Sequence, residues 1–271
     1  MLYKQEDLEI AISTMHQENL EFLFKMFPND SWKLHSILIV NQTDGSPLVS
    51  NYENVRVLNI DKFGLSKSRN LILKQAKGKL ILLSDDDVVF LPDFKTTIVK
   101  AFNSFKKLDV IRFQFLKQGV LAKNYPKQSR SELNWFQVLD ASSVELVLKR
   151  ESIQKFNLSF DEDFGLGASF AMGEEAVFLA DLKAKKGKLG FVPKTILRHP
   201  NDTTGTKSTS KEIYKNQSAV FYRIFKQKYV LWILLKLFFD VKQHKIKVQQ
   251  LKSLFSEAIK GKKAYVNHTK L

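Results

Sequence analysis

The strongest constraint on this chain is a set of short, unbroken apolar runs, each closed by polar residues and most followed by helical periodicity. LEIAIST (8–14), HSILIVNQ (35–42), VRVLNID (55–61) and KLILLS (79–84) are each only six to eight residues long. Runs of this kind suit strands buried on both faces of a parallel sheet. The first run leads into a helix expected from Gln17 to Phe27, and the second ends in the turn TDGSP. SKSRNLILKQAKG (66–78) has an amphipathic helical pattern with Gly78 as its expected stop. LPDFKTTIVKAFNSFKK (91–107) follows with Pro92 near its first turn, and DVIRFQFL (109–116) supplies a further strand. Strands alternating with helices at this spacing predict an α/β fold, a mostly parallel sheet with helices on both faces.

The fourth run opens directly onto three adjacent aspartates, in ILLSDDDVVF (81–90). Three neighbouring carboxylates repel one another, and none is buried cheaply without a cation or a donor. A solvated acidic turn would account for a random triplet. Here the triplet sits at the end of a buried strand, where open α/β sheets bind ligands. Asp85 and Asp87, two apart in an extended segment, share a side and could share one hard cation.

Beyond residue 116 the pattern loosens. Residues 117–137 read as a loop and a wall for an acceptor, and SVELVLKRESIQKF (143–156) mixes strand and helix signals. Residues 160–187 begin as a glycine-punctuated loop and turn helical near Gly173, and KLGFVPKTILRHP (188–200) supplies late strand segments. A polar linker, NDTTGTKSTS (201–210), marks the boundary between an α/β domain (1–205) and a basic helical extension (206–271). At 271 residues the chain has room for both. With no cysteine it has no disulfide scaffold, thiolate metal site or cysteine nucleophile, which fits a reducing compartment. The N-terminus lacks the basic start and apolar core of a signal peptide. YVLWILLKLFF (229–239) is too short to span a bilayer and is interrupted by Lys236. A cytoplasmic location is expected, with the inner face of the plasma membrane as the alternative.

In this order and spacing, AIST, LIVNQTDG, GLSKSRNLILKQAKGKLILLSDDD, FGLGASFAMGEE and FVPKTILRHP resemble the family 2 glycosyltransferases with a GT-A fold. The resemblance covers most of residues 8–200. It implies a Rossmann-like GT-A domain that transfers a sugar, with inversion, from a nucleotide-diphosphate sugar to a hydroxyl. The acceptor it implies is a glycan or a polyprenyl-diphosphate-linked glycan, as in bacterial surface polysaccharide synthesis. It also implies Mg²⁺ or Mn²⁺ between the diphosphate and the Asp-x-Asp. Oxygen-only ligands do select a hard cation. Asp87 is then the metal ligand, Asp85 orients the ribose or a metal-bound water, and Asp86 faces solvent or supports its neighbours.

The same resemblance places Ser13, Thr14, Asn41, Arg69 and Asn70 beside the donor nucleotide. A guanidinium suits a diphosphate through forked hydrogen bonds, although Arg69 outside this context would read as a surface helix arginine. Asn41 stands where many relatives carry an Asp that accepts from uracil. An amide can both accept and donate, so UDP is favoured less firmly than an Asp would make it. Glu174 and Glu175 match the acidic pair that carries the family's base, and Glu175 is the expected base. A carboxylate there can take the acceptor's proton, while acids in a first helical turn also occur simply to match the helix dipole. His199 corresponds to a third metal or diphosphate ligand in some relatives, or to a structural strand-end histidine.

The net charge of +15 is concentrated: from residue 207 onward fifteen basic side chains face three acids, which leaves +12 there. With its aromatics and leucines, this tail reads either as a peripheral membrane contact on anionic lipid or as helices packed on the catalytic domain. A nucleic-acid binder would use the charge but leave the acidic cluster unexplained, so no nucleic-acid partner is expected. A nucleotidyltransferase would want a glycine-rich basic loop near the start, where ISTMHQENLEF stands instead.

Overall fold

The computed structural model describes residues 2–199 and 210–270. Its centre is one sheet built from β1 (Leu8–Met15), β2 (Ser36–Gln42), β3 (Val55–Ile60), β4 (Leu80–Asp85), β5 (Val89–Phe90), β6 (Val110–Lys117), β7 (Val120–Leu121), β8 (Leu146–Lys149) and β9 (Leu189–His199). The order is β3-β2-β1-β4-β8-β6-β9-β5, with β7 paired to β6. The long pairings, β3 to β2, β2 to β1, β1 to β4 and β6 to β9, are parallel. The short β8 lies antiparallel between β4 and β6. The four apolar runs are therefore neighbouring strands. β1 is buried from Leu8 to Thr14 because it has a strand on each side and side chains packed on both faces.

The helices depart from the expected bounds for local reasons. The first is shortened to α1 (Glu21–Met26): Pro28 follows, and Phe27 takes the extended conformation that a residue before proline prefers. α2 (Leu65–Gln75) ends before Gly78, so that glycine is not its stop. Gly78 instead packs against buried Glu9, where a Cβ would lie 2.6 Å from the glutamate's own. The Glu9 carboxylate accepts from the backbone N–H groups of Lys77 and Gly78 and pairs with Arg56 at 2.7 Å. α3 spans Phe94–Ser104, leaving Pro92 outside it. A five-residue α4 (Trp135–Leu139), opened by an Asn134 capping box, interrupts the expected loop. The mixed signals of 143–156 were both real: β8 runs straight into α5 (Arg150–Lys155). α6 (Glu174–Ala184) starts after Gly173, whose φ of +89° is left-handed.

The boundary at 205 and most of the polar linker lie outside the described residues. Beyond it, α7 (Ser210–Phe225), α8 (Tyr229–Lys242) and α9 (Leu251–His268) form a second apolar core with Phe164, Phe170 and Val177. Val220 of α7 seats against Gly173, where a Cβ would come within 2.4 Å of its methyl. Arg223 pairs with Asp161 and Asp181, and His268 with Asp163. Packing on the catalytic domain is thus the disposition of α7 and α9. No described helix is long and apolar enough to cross a membrane.

α7 and α9 cross at Gly261, where a Cβ would fall 1.9 Å from the Lys215 carbonyl oxygen. That atom is backbone and cannot swing aside, so Gly261→Ala must push the helices apart. A loss of about 1–3 kcal/mol is expected, read as a lower midpoint in urea unfolding with secondary structure retained in buffer.

Candidate active site

β1 has its sequence neighbour β2 on one side and β4 on the other, so the strand order reverses between β1 and β4. The carboxyl ends of strands at such a reversal are where open α/β sheets bind ligands. The register sets Ser13 beside Asp85, and a cavity of about 690 Å³ opens there. Its floor includes Ser13, Thr14 and Asp85–Asp87, and its walls include Glu174, Glu175 and His199. The aspartates turn out of β4 into β5, whose antiparallel pairing with the end of β9 carries His199 across to Asp87. His199 Nε2 lies 3.6 Å from Asp87 Oδ1. Asp86 lines the cavity as well, anchored by the Thr14 hydroxyl and by Gln17 Nε2 at 3.0 Å.

Arg69, one turn into α2, is the hub. Its side chain is only 3% exposed, yet it borders the cavity. Nη1 donates to Glu174 Oε1 and Glu175 Oε1, both at 3.0 Å. Nη2 donates to Ser143 Oγ at 2.6 Å and lies 3.5 Å from Asp85 Oδ1. One guanidinium thus faces three carboxylates. Burial pulls its pKa down, but Glu175, Asp85 and Glu174 outweigh that and raise it. The acids pay for their company too. Burial and then the charge of Glu175 push Glu174 up to about 7 against the pull of Arg69. Asp85 is raised by burial, with Arg69 opposing and Asp87 and Glu175 adding, and Asp87 is raised by burial, with His199 opposing.

The two glutamates differ in access. Glu174 is buried against the glycine loop: a Cβ on Gly165 would sit 3.0 Å from its carboxyl carbon. Glu175 is more open, and its Oε1 takes both the Arg69 bond and one from the Ser143 backbone N–H at 3.1 Å. Its Oε2 makes no hydrogen bond among the described residues.

Eight of the ten residues read from the sequence border this cavity: Ser13, Thr14, Arg69, Asp85, Asp87, Glu174, Glu175 and His199. Asn41 and Asn70 do not. Asn41 is fully buried, accepting from the Gln17 N–H and donating to Gln17 O and Asn59 Oδ1. Asn70 brackets the glycine loop, donating to Phe160 O and Glu162 and accepting from the Phe160 N–H. Sequence reasoning passed over Gln42 and Ser143, and took in Lys117 and Lys123 only as part of the acceptor wall expected over 117–137; all four line the cavity. Gln42 accepts from Gly64 N–H at 2.6 Å, shaping the turn into α2. Lys123 is held by Asp140, Ser142 and Glu145. Gln42 closes one predicted strand and Lys117 directly follows another, and that position was the signal each carried.

No group of three or more His, Cys, Asp and Glu among the described residues could cage a metal ion. Asp85 and Asp87 nonetheless border one cavity and supply hard oxygen donors. Mg²⁺ is commonly held by one or two carboxylates plus substrate phosphates rather than by a protein cage. The donor set fits a cation of that kind, completed by a bound diphosphate.

Residues 30–176, just over half of the chain, match the family model described as glycosyl transferase family 2. Among solved structures, the crystal structure of S. aureus TarS 1–349 superposes with a TM-score of 0.61 at 14% identity, covering 93% of this chain and 80% of that one. The same TarS fragment in complex with UDP-GlcNAc gives 0.61 at 15% identity, over 92% and 79%. At these identities the likeness is one of fold. No curated protein matches the chain.

The raised Glu174 sets a direction for pH dependence. Between pH 4.5 and about 7 the folded state keeps a proton that the unfolded chain releases. Stability from this group is therefore full below that window and is lost as pH rises through it, by on the order of 3 kcal/mol. Glu174→Gln should flatten this part of the stability profile, measured as urea midpoints across the window for both proteins.

Proposed function

Because the chain belongs to glycosyl transferase family 2, and is thereby a glycosyltransferase, we propose that it moves a sugar from a UDP-sugar to a hydroxyl of a glycan or lipid-linked glycan, inverting the anomeric centre. One observation carries this reading. Asp85 and Asp87 at a strand end and Glu174 and Glu175 at a helix start border a single cavity, with Arg69 bridging the two sets. The fold shared with TarS bound to UDP-GlcNAc supports the donor class.

In this mechanism Glu175 is the general base. Oε1 is held by Arg69 and Ser143, which leaves Oε2 to accept the proton of the acceptor hydroxyl. As the proton leaves, the acceptor oxygen attacks the anomeric carbon from the side opposite the diphosphate. The bond from that carbon to the diphosphate oxygen breaks, and nucleoside diphosphate departs with the electron pair. Glu174, protonated over part of the neutral range, limits the negative charge beside the base and props the glycine loop. Arg69 is a positioning residue here: its donors are engaged by Glu174, Glu175, Asp85 and Ser143, so it fixes the acids on both sides of the cavity. Asp85 and Asp87, with His199 beside Asp87, would hold Mg²⁺ or Mn²⁺, which as a Lewis acid would offset charge on the departing diphosphate. The acceptor side is the wall formed by Lys117, Ala122 and Lys123. Bacterial surface polysaccharide synthesis is the role we propose with that acceptor class.

Turnover of UDP-sugars with Mn²⁺ or Mg²⁺ tests the assignment. Glu175→Gln should lower transfer by roughly two to four orders of magnitude, with donor affinity little changed. Asp87→Ala should abolish transfer and the cation-dependent thermal stabilisation by UDP while the unliganded protein stays folded. Full activity in EDTA would remove the cation from the mechanism. Release of pyrophosphate instead of UDP would mean a nucleotidyltransferase, and a retained anomeric configuration would reject single displacement.

A further inference from the structure

α8 is apolar on two opposite faces. Ile233 and Leu237 point inward and are buried, and Asp240 on the same face is neutralised by Tyr214 and Lys236 at 2.8 Å each. Leu231, Leu234 and Phe238, spaced i, i+3 and i+7, point outward and are 57%, 50% and 60% exposed. Phe136 of α4 extends this strip: its ring lies 6.1 Å from Phe239, edge-on, and is itself half exposed. A helix apolar all round belongs in an interior, yet half of this one meets solvent. Contiguous exposed apolar surface of this kind marks a contact site.

The rim of the strip identifies what it contacts. Lys226 and Lys228 precede the helix, Lys242 closes it, Lys245 follows, and all four are exposed. From residue 213 to 256 the one acid is Asp240, which is buried. Pairing with a second copy through this face would bring two lysine rims together with no acid to meet either. An anionic bilayer satisfies both parts: leucine and phenylalanine enter the headgroup boundary while the lysines meet lipid phosphates.

We propose that the Leu231–Leu234–Phe238 face of α8, rimmed by Lys226, Lys228, Lys242 and Lys245, docks this enzyme on an anionic membrane surface without spanning it. The basic tail read as a unit in the sequence thereby divides: α7 and α9 build the fold, and α8 is the docking element. The inference stands apart from the transfer chemistry, since none of these side chains borders the active-site cavity.

Co-sedimentation of the full chain with phosphatidylcholine vesicles, with and without phosphatidylglycerol, tests it. The native protein should partition to the anionic vesicles and be released as salt rises. Lys226→Gln/Lys228→Gln should weaken partition roughly 25-fold, about 1 kcal/mol per lysine. Leu234→Glu/Phe238→Glu should abolish it while thermal midpoint and UDP-sugar turnover on a soluble acceptor stay native. Should that variant fold poorly, quenching by brominated acyl chains of a tryptophan set on the face itself by Leu231→Trp gives the same answer, since Leu231 is exposed while Trp232 packs inward on Phe225. Equal binding to both vesicle types, unaltered binding by the glutamate variant, or absence of quenching would overturn the proposal. So would a native dimer, seen by light scattering, that the variant dissolves without any vesicle binding.

Discussion

The arrangement of acids around the cavity depends on the buried guanidinium of Arg69. Three carboxylates from two elements converge on it, and the geometry of each follows from that shared contact. Without the arginine, Glu174 and Glu175, adjacent at the start of α6, would have no shared cation to offset their repulsion. A buried ion cluster of this kind is weak evidence for stability, since removing one partner costs about 3–5 kcal/mol while a hydrophobic replacement of the whole can be neutral. Its value lies in placement. The charge lets the fold keep three acids together even as burial presses Glu174 toward its neutral form.

Much of this was legible in the sequence because it is local. A continuous apolar run ending in acids predicts a buried strand with a ligand end, and Leu80–Asp85 is that strand. An acidic pair after glycine predicts a helix start, and α6 begins at Glu174. The partnership of Arg69 with Glu174 spans 105 positions and leaves no periodic trace, so the arginine read as a diphosphate ligand although its donors are engaged within the protein. Asn41 and Asn70 do not border the cavity, for a related reason. An amide at a strand end or in a helix serves a turn as readily as a ligand, and only the surrounding backbone decides. Ser143, arriving from a stretch of mixed signals, had no motif to announce it.

The C-terminal extension teaches the same lesson through composition. Its three helices share lysines, aromatics and leucines, yet two are framework and one keeps an apolar face in solvent. The distinguishing signal is the small residues: Ala219 and Ala258 are fully buried and Gly261 touches backbone, which marks α7 and α9 as a close-packed pair. α8 has no such residue and could not approach another helix as closely.

The supports that α7 and α9 lend to the loop ahead of α6 also order events during synthesis. The sheet, the aspartates and both glutamates have all left the ribosome before Val220 reaches Gly173, before Arg223 meets Asp161 and Asp181, and before His268 meets Asp163. A nascent chain therefore carries every acid of the cavity while the loop ahead of α6 still lacks its outer braces. The setting of that loop thus depends on residues made after it, in α7 and α9.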